Sequence, residues 1–207
     1  MHIFEHMRLH PERPQIRQVR HAAKLLRDGL FAVVPTDTTY SIMVLPTALK
    51  AQENIRKLRN LDDSHLWALA CSDLSEAAKF VSINNPSHRL LKHHLPGPYT
   101  FILPANSQLP KRIFGKRKDV GIRMPNHPVC HMLLEELGEP LLATSMQLPD
   151  EPDIASDPDK IAHAIKHHNA ILLDSGWGNL TPTTVIDLCQ DVPELIRLGL
   201  GEWQDSA

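Results

Sequence analysis

No stretch of this chain is apolar for anything near the ~20 residues that a membrane-crossing helix needs; the longest run lies around residues 30–35. Cysteine is scarce. Cys71, Cys130 and Cys189 are odd in number and lie about 60 residues apart, which excludes a dense disulfide scaffold and suits a reducing cytosol. Neither sign of charge prevails: 22 Lys and Arg against 24 Asp and Glu leave −2, so no global positive field advertises nucleic acid. The start, Met1-His2-Ile3-Phe4-Glu5-His6, has no basic segment leading into an apolar one, and no secretory signal is expected. G-x-G-x-x-G, G-x-x-x-x-G-K-[ST], C-x-x-C and the G-x-S-x-G elbow are all missing. What is present is 207 residues, 42% hydrophobic and 22% charged. That is ordinary for one globular, cytoplasmic domain and too apolar for disorder.

Periodicity supplies the elements. Apolar residues at Ile16, Val19, Ala22, Ala23, Leu26 and Leu30 recur every three or four positions and predict a helix over 14–30, with Asp28-Gly29 as its stop. Further helices are expected over 47–58, 75–81, 86–94 and 129–137, the last ended by Gly138. Short β-rich runs predict strands over 30–34, 66–71, 99–103, 120–124, 141–145, 170–174, 184–188 and 195–198. Several lie too close together for crossover helices, so a mixed α/β sheet is expected rather than a doubly wound fold.

The 13 histidines suggest metal, and His163 and His167 sit one helical turn apart, but no third ligand has zinc spacing beside them and no metal site is expected. Cys130 reads as a small core residue. Pro35-Thr36-Asp37-Thr38-Thr39-Tyr40 follows a buried strand and is either a small-ligand loop or a hydrogen-bonded turn. Ala143-Thr144-Ser145-Met146-Gln147 has the same character. Arg123 stands in an otherwise apolar strand and needs an anion, either a ligand's carboxylate or phosphate or a structural ion pair. Lys111, Arg112, Lys116, Arg117 and Lys118 place five positive charges in eight residues. Arg56, Lys57 and Arg59 form a second group, and residues 8–27 a third. Each is a phosphate-binding patch or a solvated face.

Six segments in order resemble the YrdC-like family. They are Val33-Val34-Pro35-Thr36-Asp37-Thr38-Thr39-Tyr40, Leu95-Pro96-Gly97-Pro98-Tyr99-Thr100-Phe101, Val120-Gly121-Ile122-Arg123-Met124-Pro125-Asn126-His127-Pro128, Pro140-Leu141-Leu142-Ala143-Thr144-Ser145, Pro182-Thr183-Thr184-Val185-Ile186-Asp187 and Ile196-Arg197-Leu198-Gly199. The chain is most similar to the family's YciO branch, over residues 14–201, leaving 1–13 as an N-terminal extension and 202–207 as a tail. The resemblance implies a single α/β domain, a twisted, mostly antiparallel mixed sheet around a large, concave, positively charged cavity. It also implies synthesis of threonylcarbamoyl-adenylate from L-threonine, bicarbonate and ATP with Mg2+, in the service of tRNA threonylcarbamoyladenosine modification. The alternative it carries is a non-catalytic protein binding nucleotide or double-stranded RNA. By matching position, Thr36, Arg123, Ser145 and Thr183 would hold threonine, and Arg59, Thr100, Gln147 and Arg197 the nucleotide. RNA would meet Lys111, Arg112, Lys116, Arg117 and Lys118.

Two motifs depart from that pattern. The family's K-x-R falls on Arg59 and Leu61, or, in an alternative register, on Lys57-Leu58-Arg59. Its S-x-N becomes Ser145-Met146-Gln147, one methylene longer.

Overall fold

The computed structural model describes residues 2–62, 65–149 and 151–204; the side chains of Lys111, Arg112 and Pro152 lie outside the described residues, as do residues 205–207 of the tail. In chain order the elements are β1 (Phe4–Arg8), α1 (Ile16–Arg27), β2 (Phe31–Val34), β3 (Ser41–Val44), α2 (Leu49–Leu58) and β4 (Ala68–Ala70). There follow α3 (Leu74–Ala77), α4 (Asn85–His94), β5 (Tyr99–Pro104), α5 (Lys111–Phe114), β6 (Asp119–Arg123), α6 (Pro128–Leu137) and β7 (Leu141–Ser145). A 3-10 turn (Pro152–Ser156), α7 (Pro158–Ile165), β8 (Ala170–Asp174), β9 (Thr184–Asp187) and β10 (Glu194–Arg197) complete the chain.

The strands join one sheet in the order β1-β8-β2-β3-β7-β4-β6-β5-β9-β10. Five of its nine interfaces are antiparallel and four parallel, the mixed sheet that the close spacing of short strands implies. The central strands are buried on both faces, which is why they read as unbroken apolar runs. Phe31 and Val33 enter the core on one side, Ala32 and Val34 the core on the other. α1 and α6 pack over the second core, tied at their rims by Arg20 to Glu136 at 3.3 Å and by Arg27 donating to the Glu136 carbonyl at 3.0 Å. Helix ends follow local chemistry. Asn84 caps α4, accepting from the Ser87 N–H at 2.8 Å, and α6 ends at Gly138 with φ +69°. Among the described residues no helix is long and apolar enough to cross a membrane.

Five elements carry no sequence expectation, the short α5 and the 3-10 turn among them. β1, inside the stretch read as an extension, is an edge strand paired in parallel with β8. β3 completes a hairpin with β2 through the Thr-rich turn. α7 starts at Asp157-Pro158, where Asp157 accepts from the Asp159 N–H at 3.0 Å. Cys130 is fully buried and its thiol is pushed up to about 12 by burial, so it is an inert core group. His163 and His167 are exposed.

Candidate functional site

Ala143, Ala68 and Gly121 stand directly opposite one another on the adjacent strands β7, β4 and β6. Side chains this small leave a trough across the sheet, and all three line a cavity of about 440 Å³. A Cβ on Gly121 would come within 3.1 Å of the Thr100 methyl, a tight approach that would require the Thr100 side chain to shift by a few tenths of an ångström. Around it stand Thr38 and Thr39 from the β2–β3 turn, Arg59 after α2, Arg117 after α5, Arg123 at the end of β6, and Arg197.

Arg123 is 8% exposed. It donates to Thr38 Oγ1 at 3.1 Å, and Asp37 lies 3.8 Å from its Nη2. Its Nε and Asp37 Oδ1 are buried without a hydrogen-bond partner, and so is the indole Nε1 of cavity-lining Trp67. Burial lowers the Arg123 pKa, with Asp37 pulling it back up; burial raises that of Asp37 against the Asn126 N–H and the Arg123 charge. A buried guanidinium with an unused N–H calls for a further acceptor.

Thr183 is braced on both sides. Its hydroxyl lies 3.1 Å from Thr100 Oγ1, and Arg197 Nη2 donates to its carbonyl at 2.9 Å. Gly199 presses against this loop: a Cβ there would fall 2.3 Å from the Pro182 carbonyl oxygen and 2.4 Å from the Thr183 carbonyl carbon. Gly199→Ala is therefore expected to displace Thr183 and Arg197 and to weaken ligand binding about tenfold or more while the distant α1–α6 layer stays folded. Ligand titration alongside circular dichroism checks it.

At the other wall, Arg59 Nε donates to the Gln147 carbonyl at 2.8 Å and its Nη1 to Thr144 Oγ1. Ser145 Oγ approaches Gln147 Oε1 at 3.5 Å. His65 Nε2 lies 3.0 Å from Thr144 Oγ1. Burial, then Arg59 and Arg56, lower the His65 pKa, so the ring is neutral at pH 7.

Of the residues that the sequence assigns to threonine and nucleotide, Arg59, Thr100, Arg123, Ser145, Gln147, Thr183 and Arg197 line this one cavity. Thr36 does not. Its hydroxyl is spent inside the turn, donating to the Thr39 carbonyl at 2.6 Å and accepting from the Thr38 N–H at 3.1 Å, whereas Thr38, its hydroxyl 3.0 Å from Thr36 Oγ1 and accepting from Arg123, lines the cavity. The five-cation segment also divides. Arg117 faces the cavity, Lys116 and Lys118 are exposed, and the side chains of Lys111 and Arg112 lie outside the described residues. His65, Trp67, Phe114 and Asp119 line the cavity without having been expected to; among them only Asp119, an acid at the head of an apolar strand, left any signal in the sequence.

Four guanidiniums against one carboxylate, Asp119, make the described wall strongly positive. YciO of Escherichia coli K-12, an uncharacterized protein, is 38% identical over 195 residues, 94% of this chain and 95% of its own. The crystal structure of E. coli YciO superposes with a TM-score of 0.89 and covers 98% of both chains. The threonylcarbamoyl-AMP synthase of Bacillus subtilis is 28% identical over 88% of this chain, which spans only 53% of the synthase. The crystal structure of P. abyssi Sua5 complexed with L-threonine has a TM-score of 0.83 at 25% identity, over 95% of this chain and 57% of Sua5. The family model named for Sua5, YciO and YrdC, and described as telomere recombination, matches residues 24–199. By that match, and by the identity to YciO along nearly the whole of both chains, this protein belongs to the Sua5/YciO/YrdC family, as a relative of the threonylcarbamoyl-AMP synthases.

Proposed function

We propose that this chain binds L-threonine and ATP in the cavity and, with bicarbonate, makes threonylcarbamoyl-AMP, releasing pyrophosphate and water. The observation that carries the reading is the wall: four guanidiniums and six hydroxyl side chains around about 440 Å³, a volume suited to a nucleotide-sized anion. The L-threonine held by P. abyssi Sua5 supports the amino-acid half. Arg123, with its unused buried N–H, grips the amino acid's carboxylate. Thr38, Thr100 and Thr183 orient it, and Arg59, Arg117 and Arg197 face the nucleotide's phosphates. The threonine nitrogen bonds to the bicarbonate carbon with loss of water. A carbamate oxygen then attacks the α-phosphorus, and the bond to pyrophosphate breaks. Holding three reactants together removes a large entropic barrier, and fixed positive charge stabilises the phosphoryl transition state.

Among the described residues no group of three His, Cys, Asp or Glu could hold a metal. Magnesium would arrive on the nucleotide's phosphates, its usual mode of binding. Reduced, scarce cysteines suit a cytoplasmic setting, in which the product feeds tRNA modification.

Pyrophosphate release that requires L-threonine, bicarbonate and ATP together is the expected result; release indifferent to threonine, or none, overturns the reading. Leu61→Arg is expected to raise that rate about tenfold or more, since one charge-assisted hydrogen bond contributes ~1.5–3 kcal/mol. A folded variant with no gain counts against Leu61 as the place of the second K-x-R cation.

A second reading has its own observation. Lys116 and Lys118 stand exposed on either side of cavity-lining Arg117, a disposition that suits the phosphates of double-stranded RNA or tRNA. Its mark would be affinity that falls steeply with salt in wild type and less steeply in Lys116→Gln.

A further inference from the structure

β1 stands at one end of the sheet and pairs with β8 alone. The Leu9 N–H donates to the Asp174 carbonyl at 2.7 Å, and the Ala170 N–H to the Ile3 carbonyl at 2.9 Å. In a parallel ladder alternate residues turn both main-chain groups to the same neighbour, so Ile3, Glu5, Met7 and Leu9 face β8. The N–H and C=O groups of Phe4, His6 and Arg8 face outward. Along this edge runs a groove of about 830 Å³, lined by His6, Met7 and Arg8 of the strand and by Arg17, Gln18 and His21 of α1. We propose that the edge is a docking site for an acidic, extended segment of a partner protein, which joins the sheet as a strand beyond β1. None of the lining residues belongs to the main cavity, so the site stands apart from the reaction there.

Charge selects the occupant. No carboxylate lines the groove among the described residues. Its two histidines hold carboxylates from outside it: Glu5 lies 2.9 Å from His21 Nε2, and Asp174 2.8 Å from His6 Nε2. Arg8, 3.8 Å from Asp174 with its side chain 82% exposed, and exposed Arg17 are left to meet an anion, one from the strand and one from the helix. A second copy would bring this cationic edge against itself, which like charges oppose. Gln18 separates a peptide from a nucleic-acid backbone. Its side-chain carbonyl oxygen is buried without a hydrogen-bond partner and calls for a donor. A peptide backbone carries an N–H at nearly every residue, whereas phosphate groups offer only acceptors.

The test titrates the whole chain with a capped peptide of alternating threonine and glutamate, about ten residues long, and follows amide hydrogen exchange by NMR. At saturation, exchange at His6 and Arg8 should slow about tenfold or more, because those N–H groups gain partners. Met7, already bonded to β8, should change little. The same peptide with lysine in place of glutamate should not bind. Arg8→Gln and Arg17→Gln together should weaken the acidic peptide about threefold to tenfold, the loss of two exposed charge contacts. A peptide that binds without slowing the two amides is held by charge alone and overturns the docking site. Equal affinity for the acidic and basic peptides, or for wild type and the double variant, does the same. So does a chain that dimerises and protects these amides with no peptide present, or a short double-stranded RNA that binds more tightly than the peptide and is lost in the double variant.

Discussion

Arg123→Ala is expected to weaken L-threonine binding by about 100-fold to 10,000-fold, the loss of two charge-assisted hydrogen bonds at ~1.5–3 kcal/mol each. Calorimetric titration with threonine measures it, and unchanged affinity in a folded variant removes the carboxylate-clamp role. The same change bears on stability, because Arg123 is also the cation facing buried Asp37. Asp37 has its pKa raised, chiefly by burial, and Arg123 is among the groups pulling it back. A raised carboxyl means that the folded protein holds a proton the unfolded chain releases. Stability is then present in full below the unfolded value and is lost as pH rises through the folded one. Without Arg123 the folded value climbs further, so the variant's deficit in urea unfolding should grow as pH rises through the wild-type folded value towards the variant's own, both above the unfolded one. Adding Asp37→Asn should flatten that growth. A deficit independent of pH would show that the pair is not what Arg123 supports.

Filling the floor should be as damaging to binding and far less so to the fold. Ala68 is half-buried in the middle of the small-residue row, between Ala143 and Gly121. A phenylalanine there stands off the sheet into the trough and is compatible with a strand. Ala68→Phe is expected to reduce both threonine and ATP binding about a hundredfold or more, with little loss of thermal stability, because the ring enters space already present. Calorimetry with each ligand, together with a thermal melt, checks it. Full affinity for both ligands would mean that they bind somewhere other than this cavity.

The two substitutions also mark how much of the site was legible beforehand. Arg123 was: a guanidinium in an apolar strand must face an anion wherever the strand goes. Arg59, Thr100, Ser145, Gln147, Thr183 and Arg197 were legible through motifs, and they meet in one cavity. Thr36 lies off the cavity and Thr38 on it, because which residue of a Thr-rich turn faces the hollow depends on the turn's own hydrogen bonds, and Thr36 is consumed in them. The cluster of cations ending at Lys118 reads as one stripe in sequence, yet chain direction turns Arg117 inward and Lys116 and Lys118 outward. α7 was readable, since Asp157-Pro158 is a helix-start signal. β1 was not: a single buried residue, Met7, marks its five positions, and only pairing with β8, more than 160 residues away, makes it a strand.

The amino-acid order alone determined the class of fold, the positions of most helices and buried strands, and the family. These rest on local periodicity, on capping and turn residues, and on short motifs, all contained within a few neighbouring positions. The tertiary structure decided that Ala143, Ala68 and Gly121 form a floor, that His65 and Trp67 line the cavity with them, and that Thr38 rather than Thr36 does so. Those outcomes depend on strand register between segments tens of residues apart, where a slip of one residue would turn every side chain to the opposite face.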